Sequence, residues 1–493
     1  MVFQTPLLVT FVGYTAIILI IAYISTRLTS NISDYVLGGR RLSGPITALG
    51  AGASDMSSWL LMALPGSVYE FGLSMIWLPI ALIAGAYCNW RFIATRLRIY
   101  TEVANDSLTI PEYFCNRFKD KGLALRVAIS LSIIVFFTFY SAAGFRAGAI
   151  LLETIFGIDY VTALLISAAV IIAYTAIGGF LAVSWIDFFQ GSLMFVALLM
   201  VPIVACINLG GWTETLHKIN LNSSTHLDAF SGVTILGLLS LFAWGFGYFG
   251  QLHINTRFMA IRSVKELPLA RLICINWMTL ALLGAVATGL FGFAYYAKNP
   301  LADNLTVFIN LSQQLFNPWI AGFLLSAVIS ATMSNVSAQI LMSASILVED
   351  FYHRMFRKKA SNRENIWASR IILVLISSIS VIIAANPSQS IFKAVAFAWS
   401  GLGAAFGPTL IFSLFWRRMT RLGAIAGIIS GALTVILVRI WFQHPDLIGG
   451  FELLPGFIMS SLLITIVSLN TAPPSHAVTA DFDKAMALVA AAP

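Results

Sequence analysis

The chain has 493 residues, of which 59% are hydrophobic and only 10% charged, and its mean hydropathy is +0.87. That balance excludes a soluble globular protein of this length, which would carry about 25% charged residues. The formal net charge of +8 suggests a nucleic-acid partner only until the basic residues are placed along the chain.

A spanning helix needs roughly 20 apolar residues. The sequence predicts about 13 transmembrane helices, centred near residues 16, 55, 84, 140, 169, 196, 244, 283, 333, 377, 402, 431 and 460. The ten-residue alternating segments of membrane barrels are absent, so the expected fold class is an all-α integral membrane protein. The first span has no basic residue before it and no small-residue cleavage site after it, and is expected to remain as a helix rather than be removed as a leader. The thiols Cys88, Cys115, Cys206 and Cys274 lack metal-ligand spacing and read as ordinary packed cysteines.

The second span is interrupted by glycine in the run Gly50-Ala51-Gly52-Ala53-Ser54-Asp55-Met56-Ser57-Ser58-Trp59. A carboxylate near the middle of a span costs about 2.5 to 3.5 kcal/mol on insertion scales, so Asp55 marks an ion path or a buried partner. Its bland alternative is an N-cap bonding the amides of Ser57 or Ser58. The fourth span carries Tyr140 and Arg146. The seventh is interrupted in turn, at Trp244-Gly245-Phe246-Gly247-Tyr248-Phe249-Gly250. Trp244 and Tyr248 share a helical face there, and such aromatics can either wall a pocket for a small, partly apolar solute or simply pack together. Breaks at corresponding points of two halves free helix ends and carbonyls near the bilayer midplane, where secondary transporters hold substrate and ion. Five crossings separate the two breaks, an odd number, so spans two to six are expected to recur inverted in spans seven to eleven.

In the ninth span, Ala327, Ala331, Ser334 and Ala338 form one small-residue face, along which a neighbouring backbone can approach Ser334 and Asn335. Such faces commonly serve packing alone. A small hard cation wants oxygen ligands, which carbonyls such as those of Ala53 and Met56 and hydroxyls of a facing helix could supply. Further along, Phe356-Arg357-Lys358-Lys359-Ala360 reads as a cytoplasmic turn, Gly423, Gly427 and Gly431 as a ridge for close helix contact, and Pro473-Pro474 as the stop before a short polar tail. Arg40 and Arg41, after Gly38-Gly39, could bind lipid headgroups or gate the cytoplasmic mouth.

The connections after odd-numbered spans, with the carboxyl tail, hold 24 of the 29 Lys and Arg residues. By the positive-inside rule the amino terminus is external and the carboxyl terminus cytoplasmic. The basic excess is therefore topology, with some attraction to anionic lipid, and no nucleic-acid or obligate protein partner is indicated. No G-x-S-x-G, H-E-x-x-H or G-x-x-x-x-G-K-[ST] motif occurs, so neither an enzyme nor an ATP-driven pump is expected. A channel would need a continuous pore.

Five runs then carry a resemblance: DYVLGGRRLSGPITALGAGASDMSSWLLMALPG from Asp34, YTAIGGFLAVSWIDFFQ from Tyr174, WGFGYFGQLHINTRFMA from Trp244, FNPWIAGFLLSAVISATMSNVSAQIL from Phe316 and FWRRMTRLGAIAGIISGALT from Phe415. In order and over nearly the whole chain, they resemble the sodium:solute symporter family, and within it the members that carry proline. The resemblance implies thirteen helices with a LeuT-type inverted five-helix repeat. It divides the chain into a first helix and cytoplasmic loop at 1–43, a first repeat at 44–208, a second at 232–415, two additional helices at 416–470 and a cytoplasmic tail at 471–493. It implies import of L-proline coupled to sodium across a bacterial inner membrane; another small carboxylate or amino acid, or coupling to protons through Asp55, is the alternative. Sodium would be held by the carbonyls of Ala53, Met56 and Ala331, the Ser334 hydroxyl and position 335. Asp55, Asp187 and Arg40 would serve coupling or the ion path, and Ser57, Trp59, Tyr140, Trp244 and Tyr248 the substrate. Two positions depart from the family pattern: Asn335 stands where a hydroxyl residue is usual, and Leu252 where those relatives carry Pro.

Overall fold

The computed structural model describes residues 5–26, 32–120, 122–348, 361–386, 390–442 and 450–492. The turn expected at Phe356–Ala360 lies outside them. Among the described residues all regular structure is helical, and extended pairing is limited to one bridge between Leu42 and Ile261.

The principal helices are α1 (Thr5–Thr26), α2 (Gly44–Asp55), α3 (Leu64–Phe71), α4 (Trp77–Cys88), α5 (Ala94–Val103), α6 (Ala124–Phe156), α7 (Tyr160–Asn208), α8 (Ile235–Gly247), α9 (Leu252–Ala260), α10 (Leu267–Tyr295), α11 (Pro318–Leu347), α12 (Asn362–Ala384), α13 (Ile391–Phe415), α14 (Arg421–Trp441), α15 (Leu453–Asn470) and α16 (His476–Ala490). Among the described residues, ten helical stretches are long and apolar enough to cross a membrane, and eleven when α8 and α9, bent by 41° at their break, count as one span. The expected thirteen is reached through two joins. Trp59–Val103 registers as one stretch, but Gly72, at φ 74° and ψ −155°, ends α3 and separates it from the next crossing. The apolar segment Tyr160–Ala176 and the span Phe180–Asn208 are two apolar stretches carried on the one element α7.

The long α7 lies against α1, α2, α6, α10 and α11, and α2 is enclosed by α7, α9, α10 and α11. This places the first break at the centre of the bundle. The turn Tyr248–Gly250 of the second break packs on α13. The glycine ridge of α14 meets α15 and α13: an added methyl at Gly423 would lie 2.0 Å from Ser468 Oγ, and one at Gly431 2.3 Å from the Ala404 carbonyl. Lipid-facing helices keep large apolar side chains outward, among them Ile20, Leu131, Ile207 and Trp441.

The carboxyl tail is more ordered than its polar sequence suggests. Val478, Phe482 and Ala485, at i, i+4 and i+7, form a buried stripe on α16, and α16 packs on α5. Lys119 pairs with Asp481 at 2.5 Å, and Arg417 with Asp483 at 2.8 Å.

Candidate functional site

The first break forms because the chain leaves helical geometry at Met56 (φ −79°, ψ 68°). The Ser57 amide then donates to the Asp55 carbonyl at 2.9 Å instead of reaching back four residues to Ala53. A π-helical turn, Trp59–Ala63, leads into α3. The second break follows the same plan, with a 3-10 turn at Tyr248–Gly250, an extended Gln251 (φ −78°, ψ 95°) and then α9.

These two breaks meet. Asp55 is the last residue of α2, not the first of the following half-helix, so its carboxylate is misplaced for the capping role. It accepts instead from the Tyr248 hydroxyl across the site. Trp59 and Trp244 face each other with ring centroids 6.1 Å apart. Trp399 of α13, which sequence reasoning missed, completes the wall: it stacks on Trp244 at 6.1 Å, meets Tyr248 edge-on at 5.1 Å and donates its indole N–H to the Trp244 carbonyl at 2.9 Å. Gly247 makes this approach possible, since a methyl there would lie 1.9 Å from the Trp399 indole nitrogen. Tyr140 is buried with its hydroxyl lacking a hydrogen-bond partner among the described residues, next to Ser57 and Asn335. Asp55, Ser57, Trp59, Tyr140, Trp244, Tyr248 and Trp399 are all at most 3% exposed.

A second polar cluster joins α11 to α7. The Ser334 hydroxyl donates to Asp187 Oδ1 at 2.5 Å, and Arg257 of α9 pairs with the other carboxylate oxygen while also bonding Ser184. Arg257 and Ser184 were also missed; the only sequence signal was a basic residue inside the broken-helix run. Both members of the Asp187–Arg257 pair are fully buried, and neither charge could stay there without the other. Asn335 donates to the Ser54 carbonyl at 2.7 Å. Ala53, Met56 and Ala331 are fully buried on the packed backbones of the first break and α11. His253 of α9 lies beside this cluster, both ring nitrogens unpartnered among the described residues. With Arg257, Phe180 and Ile110 it lines a cavity of about 30 Å³.

Arg40 stands apart from both clusters. It pairs with Asp106 at 3.0 Å and donates to the carbonyls of Met259 at 2.8 Å and Ser107 at 3.0 Å, tying the end of α9 to the loop after α5. The site therefore gathers eleven of the twelve other residues named from the sequence around the first break and leaves Arg40 at its edge, with Asp187, the twelfth, reached through Ser334.

The profile described as the sodium:solute symporter family matches residues 35–431. A sodium/proline symporter of Salmonella typhimurium is 47% identical, across 100% of this chain and 99% of that one. A high-affinity proline transporter of Bacillus subtilis is 48% identical, across 94% of this chain and 98% of that one. Among solved structures, the substrate-bound, outward-open form of a Na+-coupled sialic acid symporter superposes with a TM-score of 0.81 at 20% identity, covering 96% of this chain and 99% of the other.

Proposed function

The chain belongs to the sodium:solute symporter family, and from that premise we propose that it imports L-proline coupled to sodium by alternating access. The observation that carries the reading is the meeting of the two broken helices, with Asp55 of one held by Tyr248 of the other. Sodium and proline are both cargo, and no covalent bond changes.

Sodium binds between the first break and α11, using the carbonyls of Ala53, Met56 and Ala331 and the oxygens of Ser334 and Asn335. Asp55 contributes negative field. Ser334 hands the ion toward Asp187, to which it is already bonded. Proline lies against Trp59, Tyr140, Trp244 and Tyr248 beside Ser57, with Trp399 bracing the aromatic wall. The amide ends of the broken helices suit its carboxylate, and the rings suit the pyrrolidine. Ordering of both breaks by sodium precedes proline binding, after which the outer path closes and the inner one opens. The repeats at 44–208 and 232–415 move against each other, with 1–43, 416–470 and 471–493 as peripheral parts.

One charge crossing about 100 mV supplies about 2.3 kcal/mol, and a tenfold sodium gradient adds about 1.4 kcal/mol. One sodium per proline then supports roughly a few-hundredfold accumulation. The protein is a multi-pass membrane transporter. Its basic-residue distribution supports an external amino terminus and a cytoplasmic carboxyl terminus in the inner membrane of a bacterium.

Proton coupling through Asp55 is the second reading, favoured by the burial of that carboxylate away from any cationic partner in the contacts it makes among the described residues. Counterflow tests the proposal: vesicles preloaded with unlabelled proline should take up labelled proline transiently and saturably in sodium. Unsaturable flux would mean a pore, and counterflow supported by protons without sodium would favour the second reading.

A further inference from the structure

Asn335 is bonded at both ends of its amide. Its Nδ2 donates to the Ser54 carbonyl at 2.7 Å, and its Oδ1 accepts from Gln339 Nε2 at 2.8 Å. Gln339 Oε1 accepts in turn from the Ser141 hydroxyl of α6 at 3.1 Å. All three side chains are fully buried. Chemistry fixes the direction of this chain. The Ser54 carbonyl can only accept, so the Asn335 nitrogen must face it. The Asn335 oxygen then needs a donor, so Gln339 must present nitrogen, which leaves the Gln339 oxygen for the Ser141 hydroxyl.

We infer that Ser141, Gln339 and Asn335 form a relay that couples sodium occupancy at the first break to α6 and its substrate-wall residue Tyr140. This rests on the reading that sodium binds there with Asn335 among its ligands. In the observed setting Asn335 aims N–H at the break, which opposes a cation. To offer Oδ1 instead, the amide turns over and its nitrogen meets Gln339. Gln339 must then turn so that its oxygen accepts, and its nitrogen meets Ser141. A hydroxyl can switch from donor to acceptor, and a sodium ion between the turned Asn335 oxygen and the Ser54 carbonyl replaces the N–H which that carbonyl loses, so the chain has one self-consistent setting without sodium and another with it, while any single reversed amide leaves buried groups unpaired. Tyr140 adjoins Ser141 in sequence, and its buried hydroxyl lies near Asn335 and Ser57, so the two settings differ in what they present to it. Gln339 and Ser141 are thus positioning residues, and sodium shifts the balance by its differential affinity for the two settings. A family member with a hydroxyl residue at position 335 has no amide to turn, so the device belongs to this chain's departure from the usual pattern.

The test measures the sodium concentration for half-maximal proline uptake, and the shift of proline affinity between low and saturating sodium, in proteoliposomes of the full chain at matched protein density. Gln339→Met removes the donor that holds Asn335 in its sodium-opposing setting. Half-saturation should fall by about two- to tenfold, the range for one buried hydrogen bond, while the sodium-dependent shift in proline affinity shrinks. Ser141→Ala, a smaller change, should shrink that shift with little movement of half-saturation. In an Asn335→Thr background, Gln339→Met should have no further effect on either quantity. A Gln339→Met protein with higher sodium and proline requirements alike, or with neither changed, overturns the relay, as does an undiminished effect in the Asn335→Thr background. If Ser334→Ala and Asn335→Thr both leave sodium half-saturation untouched, the sodium site itself is misplaced and the relay falls with it.

Discussion

Asp55 and Tyr248 carry the chemistry most open to direct test, because their contact joins two helices that are 193 residues apart in sequence. Asp55→Asn keeps the shape and removes the negative field, so sodium-driven uptake should drop at least tenfold with insertion intact; unchanged sodium dependence would take Asp55 out of the mechanism. Tyr248→Phe removes one buried hydrogen bond, worth about 0.5 to 1.5 kcal/mol or roughly two- to tenfold. Since that hydroxyl reaches Asp55, its loss should raise sodium half-saturation as well as weaken proline, and proline-competition uptake at several sodium concentrations separates the two. An effect on expression alone would return Tyr248 to ordinary packing. At this scale the sequence disclosed residues whose presence is costly in a membrane, such as Asp55, or whose spacing marks a face, such as Trp244 and Tyr248. It did not disclose Arg257, Trp399 or Gln339, whose roles come from partners 70, 155 and 198 residues away respectively.

Broken helices are legible because glycine, joined at the first break by an intramembrane acid, violates what an ordinary span requires; the first break falls within the run read from sequence, and the second reaches Gln251, one residue past its run. The tail helix α16 was hidden by its polar composition, although its i, i+4, i+7 stripe was present. Leu252 tests the second break as an element. It is the first residue of α9, a position where the amide has no helical partner and proline is readily accepted. Leu252→Pro should therefore insert and transport at near wild-type levels, with any change confined to relative affinities in a competition panel. Loss of folded protein would show that the α9 start is not the free helix end described here.

For the whole molecule, the inverted repeat and the basic-residue asymmetry make one claim about orientation. Single cysteines replacing exposed Asn299 and Lys484 in a background lacking the four native thiols should react with an impermeant reagent from opposite sides, Asn299→Cys from outside intact cells and Lys484→Cys only after permeabilisation. Labelling of both from one side would break the assignment of crossings. The central claim, sodium-driven proline import, is tested most directly by uptake of a panel of labelled amino acids into proteoliposomes of the purified chain, with and without an imposed inward sodium gradient. Proline uptake should be concentrative and saturable, require the gradient and exceed that of every other amino acid tested. Equal proline accumulation without sodium, or sodium-driven uptake that prefers another solute, would contradict it.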